Sequence, residues 1–274
     1  MAKFCTYLIL TVLALIWAFP LAAMLVTITK TNEEFTTLAF WSLPALLKIP
    51  GNLFENVRLA LVNAELGGNF LNSLFFALTA GIGSAFIASL AGYALVHLHV
   101  RAPQGWFFGI FIGNIFPFQM FLIPLYLFLS GVRLYDTLLG LALVYVGICI
   151  PFALFVYRNY AFTLPRELFE AAKVDGSSNW YSYLHIFLPL SRAAFIVVFI
   201  FQFIWTWNDL LFGLVLSEKH RPVMTALSRL AGQRGAVPPT VLIAGAIIAS
   251  LPTIVLLLSL QNYFVRGFTI STEK

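Results

Sequence analysis

The stretch RELFEAAKVDGSSNWYSYLHIFLPL (166–190) decides how this chain is read, because it looks like the surface of a soluble protein and stands in the middle of strongly apolar sequence. Pro165, just before it, suits the first position of a helix, where its missing N–H has no partner to lose. Glu167 and Glu170 then fall in the first turns, where the helix dipole favours acids, and Lys173 follows Glu170 at i+3 as a surface pair. Ala171 and Ala172 are strong helix formers whose small side chains let another surface come close. Gly176 is placed to end the helix in a left-handed conformation. Ser177 or Ser178 can cap a second helix over 179–187, and Pro189 is placed to end it. The stretch predicts two short helices at an angle set by one glycine, on a wet face. A surface loop with ordinary helix chemistry is the plain alternative.

The rest of the chain sets that segment in lipid. Of 274 residues, 61% are hydrophobic and 10% charged, against about half and about a quarter in soluble domains. No soluble core of this length hides so much apolar surface, so the bilayer is the solvent. Twenty-eight Phe, ten Tyr and six Trp suit lipid-facing and interfacial positions. Runs of spanning length lie at 7–28, 74–96, 106–129, 138–157, 193–216 and 241–264. Backbone groups in hydrocarbon must be paired within the segment, and the runs lack the alternation of a barrel strand, so the expectation is an all-α membrane protein of six transmembrane helices.

The expected organisation is a first transmembrane helix over 1–29 and an extracytoplasmic excursion over 30–72, containing Trp41, Pro44, Pro50 and Gly51. A five-helix core follows over 73–264 with its polar loop at 158–192, and a tail over 265–274. Lys3, the apolar run and Pro20–Met24 have features of a signal peptide, but apolar sequence continues to Ile28, long enough to span, and an uncleaved helix is expected. The formal net charge is +5, yet the cations are spread over short connections with no basic stripe, which speaks against nucleic acid. The sixteen Lys and Arg divide evenly between the two faces, so the positive-inside rule gives no orientation. Cys5 and Cys149 stand apart in apolar surroundings and read as small hydrophobes.

Polar residues inside the runs mark a candidate translocation path. Asn208 and Asp209 interrupt the fifth run and are costly against lipid, so they should face other helices or a water-filled cavity. Trp205 and Trp207 beside them suit stacking on sugar rings, or simple helix packing. Gln119, with Pro117 and Pro124, suggests a locally opened third helix whose freed carbonyls line a path. Asn114 and Gln202 suit hydrogen bonds between helices, and Gly81 and Gly83 close helix packing. His97, His99, His185 and His220 show no metal-ligand spacing. With no phosphate-cradling Gly-rich loop and no nucleophile motif, the chain carries no signal of catalysis and no bound cofactor or metal is expected.

The order EAAKVDGSSNWYSYLHIFLPL closely resembles the EAA motif of ABC-importer permeases, through Glu170, Ala171, Ala172, Asp175, Gly176, Ile186, Leu188 and Pro189. NFLNSLFFALTA (69–80), GYALVHLHVRAPQG (92–105), IPLYLFLSGVRLYDTLLGLALVY (123–145), FQFIWTWNDLLFGL (201–214) and QNYFVRGFT (261–269) are similar to the carbohydrate, maltose-type branch of that family. The resemblance implies a type I importer permease fold in the inner membrane of a prokaryote, with both termini and the coupling helix pair cytoplasmic. It implies docking of Glu167, Leu168, Phe169, Glu170, Ala171, Ala172, Lys173, Val174, Asp175 and Gly176 on a dimer of separate ATPase subunits, which hold the ATP–Mg. A second, homologous permease subunit, an extracytoplasmic solute-binding protein and the surrounding lipid complete the implied partners, and a sugar or oligosaccharide is the implied cargo. The competing expectations are an ABC permease for another small solute and an ion-coupled secondary transporter; Asp209 is the single acid suited to the latter.

Overall fold

The computed structural model describes residues 2–37, 52–233 and 237–269, with side chains between 3 and 259 in those ranges. Trp41, Pro44, Pro50, Gly51, the last residues of the expected tail and the side chains of 261–269 lie outside the described residues. The chain forms two compact units, residues 1–70 with 226–251 and residues 71–225 with 252–274.

In the first unit, α1 (Ala2–Thr27) is apolar on every side and exposed along almost its whole length. Such a helix is stable where lipid is the solvent. Thr31 and Glu34 form a reciprocal capping box at the start of α2 (Asn32–Thr37), each side chain bonded to the other's backbone N–H at 3.0 Å. Asn56, on α3 (Leu53–Arg58), is buried and donates to the carbonyls of Ile28 (2.8 Å) and Lys30 (2.9 Å), which lie past the end of α1. One amide thus pairs carbonyls that no helical N–H reaches.

The second unit is built on α4 (Leu66–His97) and α7 (Leu138–Ala161), with α10 (Arg192–Trp207) packed on α7. The second span starts earlier than expected, at Leu66, so the last residues of the expected 30–72 excursion, Gly67 and Gly68 among them, are carried inside the helix. The third span is sharply broken: α5 (Pro103–Phe111) and α6 (Leu122–Gly131), with their flanking turns, meet at 95° around residues 115–117. Pro117 has no N–H to give and disfavours the helical conformation of Phe116. Pro124 sits in the first turn of α6, where a proline is tolerated, and breaks nothing. The fifth span is α10 followed by α11 (Leu211–Leu216), interrupted at Asn208 as expected. The chain closes with α12 (Val223–Gly232) and α13 (Pro239–Thr269). Among the described residues no strand occurs; α1, α4, α7 and α13 are each long and apolar enough to cross a membrane, and the count reaches six if two bent pairs, α5 with α6 and residues 179–190 with α10, each make one span.

Three contacts hold the second unit. At Gly92 a side chain's Cβ would meet Tyr157 Cβ at 3.0 Å and the backbone N of Arg158 at 3.2 Å, so α4 lies against the backbone of α7. The Arg158 guanidinium lies 4.1 Å over the Phe107 ring, fastening α5 to α7. Asp136, in the left-handed region (φ 57°), accepts from the backbone N–H groups of Glu218 (2.7 Å) and Lys219 (2.8 Å) and clips two connections together.

Two tests follow from these contacts. Gly92→Leu forces α4 off an unyielding backbone and costs about 1–3 kcal/mol, read as a lower unfolding midpoint of the purified protein. Gly109→Leu, with open space around it, leaves the midpoint unchanged. For Asp136, burial opposes the charge, but the two N–H donors, with Lys219 and His220 nearby, hold its carboxyl below the usual range. The clip therefore stabilises above about pH 4, the unfolded carboxylate value, and is lost as pH falls through the depressed folded value. A pH series of unfolding midpoints shows this loss in the parent protein and a flattened profile in Asp136→Asn.

Candidate coupling site

The 166–190 stretch forms two short helices with distinct jobs for their faces. α8 (Arg166–Val174) begins directly after Pro165, which occupies the capping position and not the first helical one. Its end is a Schellman motif. Gly176 has φ +83°, its N–H donates to Lys173 O (3.0 Å), and the Ser177 N–H reaches back to Ala172 O (2.9 Å). Space around the Gly176 Cα is open, so only its backbone conformation demands glycine there. Ser178 caps the next helix by accepting from Tyr181 N at 3.1 Å. That helix, α9 (Asn179–Leu190), loosens into a π turn at Tyr183–Phe187, runs through Pro189 and bends by 72° into α10 only at Ser191. Pro189 does not end it, because it is the second residue of the segment Leu188–Leu190 that follows the π turn, a position where a proline is tolerated.

Most of α8 faces outward. Glu167, Leu168, Glu170, Ala171, Lys173, Val174, Asp175 and Gly176 are exposed, Val174 to 88%, while Ala172 is half-buried. Phe169 corrects the sequence reading: expected among the apolar contacts offered to a partner, it is 4% exposed and packs inward, 4.0 Å from the His97 ring and 5.8 Å from Tyr93. At three-residue spacing from Arg166 it falls on the helix face turned toward α4.

The pair is bolted to the spans by a stripe on α4 that sequence reading left out. Ser89, Tyr93 and His97 recur at every fourth position and so share one helix face. Ser89 Oγ bonds Tyr183 OH at 2.7 Å, Tyr93 OH donates to Asn179 O at 3.2 Å, and Tyr93 packs at 5.2 Å on Phe187. Tyr160 OH of α7 donates to Leu190 O at 2.7 Å. Polar and aromatic residues at that spacing in an otherwise apolar helix were the signal available.

The proposed path residues separate. Trp205, with Gln202 and Asn114, lines a cavity of about 240 Å³, its indole 5.3 Å from the Phe118 ring. Gln202 also donates to Cys149 O at 3.2 Å. Trp207 is fully buried and stacked on Phe203 at 5.7 Å. Asn208 is exposed and turns back to Ile204 O at 2.8 Å. Asp209 accepts from Tyr145 OH (2.8 Å) and from the N–H groups of Phe212 (3.1 Å) and Gly213 (3.3 Å), capping α11. Gln119 is exposed in the turn between α5 and α6, apart from that cavity.

Long apolar helices with one exposed helix pair between them fit a membrane transport subunit, and similarity to known proteins names its kind. The chain belongs to the binding-protein-dependent transport system inner membrane component family, which matches residues 84–270. It is a multi-pass permease of the ABC-transporter class, which removes the ion-coupled secondary transporter from consideration. It is 32% identical over 97% of its length to GgtD of Synechocystis, an osmoprotective-compound uptake permease, covering 90% of that protein. It is 35% identical over 82% of its length to AglG of Rhizobium meliloti, an alpha-glucoside transport permease, spanning 61% of it. An ABC permease of Pyrococcus horikoshii is 41% identical over 59% of the chain and is matched over 58% of its own length. The fold is that of a bacterial ABC transporter involved in importing the acidic polysaccharide alginate, with a TM-score of 0.79, 20% identity and 96% of each chain covered.

The caps and the glycine are separable by exchange. Ser178→Ala removes a helix cap worth about 1 kcal/mol, and Gly176→Ala strains the left-handed residue by about 1–2 kcal/mol. Hydrogen exchange read by mass spectrometry shows faster exchange across 166–190 in both variants, with the amides of α7 unchanged.

Proposed function

We propose that this chain is one permease half of an importer for a sugar or oligosaccharide, with α8 and α9 as the element that receives motion from an ATPase. The carrying observation is the division of α8, whose outward face is exposed and whose inward Phe169 joins the ring cluster on α4. A dimer of separate ATPase subunits holding ATP–Mg docks on the outward face, where Glu170 pairs with a basic group and Leu168 and Val174 supply apolar contact. Closure of that dimer around ATP pushes the helix pair. Because Tyr93, Tyr183 and Tyr160 tie the pair to α4 and α7, the push tilts the spans between inward-open and outward-open states. The balance between the two states answers to ATP on one side and to solute delivery on the other.

The same reading places both termini and the 158–192 loop in the cytoplasm, with the 30–72 segment outside, near an extracytoplasmic solute-binding protein. A second, homologous permease subunit completes the path, and lipid covers the remaining apolar surface. Sugar as cargo is supported by the relative that carries alpha-glucosides and the structural neighbour that imports alginate. The aromatic and amide lining around Trp205, Gln202 and Asn114 is chemistry suited to a sugar's apolar ring face and hydroxyls.

Reconstitution with the copurified partner subunits tests both halves of the reading. Gly176→Val, which misdirects the second helix, is expected to leave ATP hydrolysis running and cut sugar uptake at least tenfold; full uptake by this variant would sink the coupling role. Trp205→Ala is expected to raise the transport KM about three- to tenfold, the worth of one ring contact. An unchanged KM assigns that cavity to packing alone.

A further inference from the structure

Beside its outward face, α8 has a second, charged one. Arg166, Phe169, Glu170 and Lys173 stand at i, i+3, i+4 and i+7, a single stripe of the helix. This stripe and the connection between α4 and α5 enclose a cavity of about 380 Å³, lined by His97, His99, Arg166, Phe169, Glu170 and Lys173 among others. Among the described residues, Arg166, Lys173 and Glu170 make no ion pair. The cavity therefore gathers two cations against one carboxylate. The wall opposite α8 is the connection that follows the end of α4, a helix long and apolar enough to cross a membrane.

We propose that this cavity binds a phosphate group, held by Arg166 and Lys173. The phosphate belongs to the headgroup of an anionic phospholipid or to free phosphate. Basic pockets between spanning helices are suited to anionic headgroups, and a phosphate's several acceptor oxygens reach both cations at once. One wall is the helix proposed to receive the ATPase and the other is the α4–α5 connection. An anion between them ties the two walls together, so its occupancy sets how firmly α8 is held to the spans.

The test uses the full chain purified in a non-ionic detergent, titrated separately with short-chain phosphatidylglycerol, short-chain phosphatidylcholine and inorganic phosphate. Binding is read by native mass spectrometry and by the shift in unfolding temperature. Saturable phosphatidylglycerol binding is expected, weakened about fivefold by Arg166→Gln or Lys173→Gln, at about 1 kcal/mol per cation. Lys173→Arg keeps the binding, and Arg133→Gln, a cation away from the cavity, leaves it unchanged. The same variant pattern with inorganic phosphate alone supports the site and assigns it to free phosphate. Circular dichroism confirms that each variant keeps its helix content. Absence of binding by all three probes, or binding indifferent to Arg166 and Lys173, overturns the proposal and leaves the cavity to an acidic side chain of a docking subunit.

Discussion

A backbone in hydrocarbon has no water to turn to, and most of this structure is an answer to that constraint. A span pairs its own N–H and C=O groups, and at several helix ends among the described residues a side chain takes over. Asn56 serves the carbonyls after α1, Asp209 caps α11, Thr137 accepts the Gly140 N–H at the start of α7, and Ser178 caps α9. The break after α10 stands next to Asp209, whose carboxylate satisfies the first free N–H groups of α11.

Against that background the helix pair at 166–190 is the part of the chain that spends its polar residues outward. Its attachment is made by rings. Tyr93 lies within 5.2 to 5.8 Å of Phe187, Tyr183 and Phe169, so one side chain of α4 touches both helices of the pair. Two hydroxyl bonds then fix the register of that contact. Close-packed rings with few rotamers pass a displacement on without absorbing it, which suits the coupling role proposed for the pair.

Much of this arrangement is legible in the residues themselves. Apolar run length gives the spans, and the order Glu-Ala-Ala followed by Asp-Gly gives the helix pair and its family. Gly176 is legible because a left-handed helix end strongly favours that residue. Phe169 was misread, since neighbours in sequence point to different faces of a helix and a resemblance to a docking motif does not say which face is inward. The long start of α4 was hidden by two glycines, whose loop preference is overruled when the surroundings leave the backbone no other partners. The grouping of Trp205, Trp207, Asn208 and Asp209 also dissolves in three dimensions. Consecutive positions on and just past a helix end turn to a cavity, a core, an exposed edge and a cap, and sequence proximity carries no information about that division.

The open space around Gly176 has a further consequence for how this element can vary. The angle between the two helices resides in one backbone torsion and in contacts on the inner face, while Glu167, Leu168, Ala171 and Val174 of α8 are exposed and stand apart from the charged cavity. These residues can be exchanged wholesale without disturbing the lever beneath them. On the proposed coupling role, address is separate from mechanism: a handful of surface positions would specify which motor attaches, and a single hinge, indifferent to their identity, would keep the stroke the same.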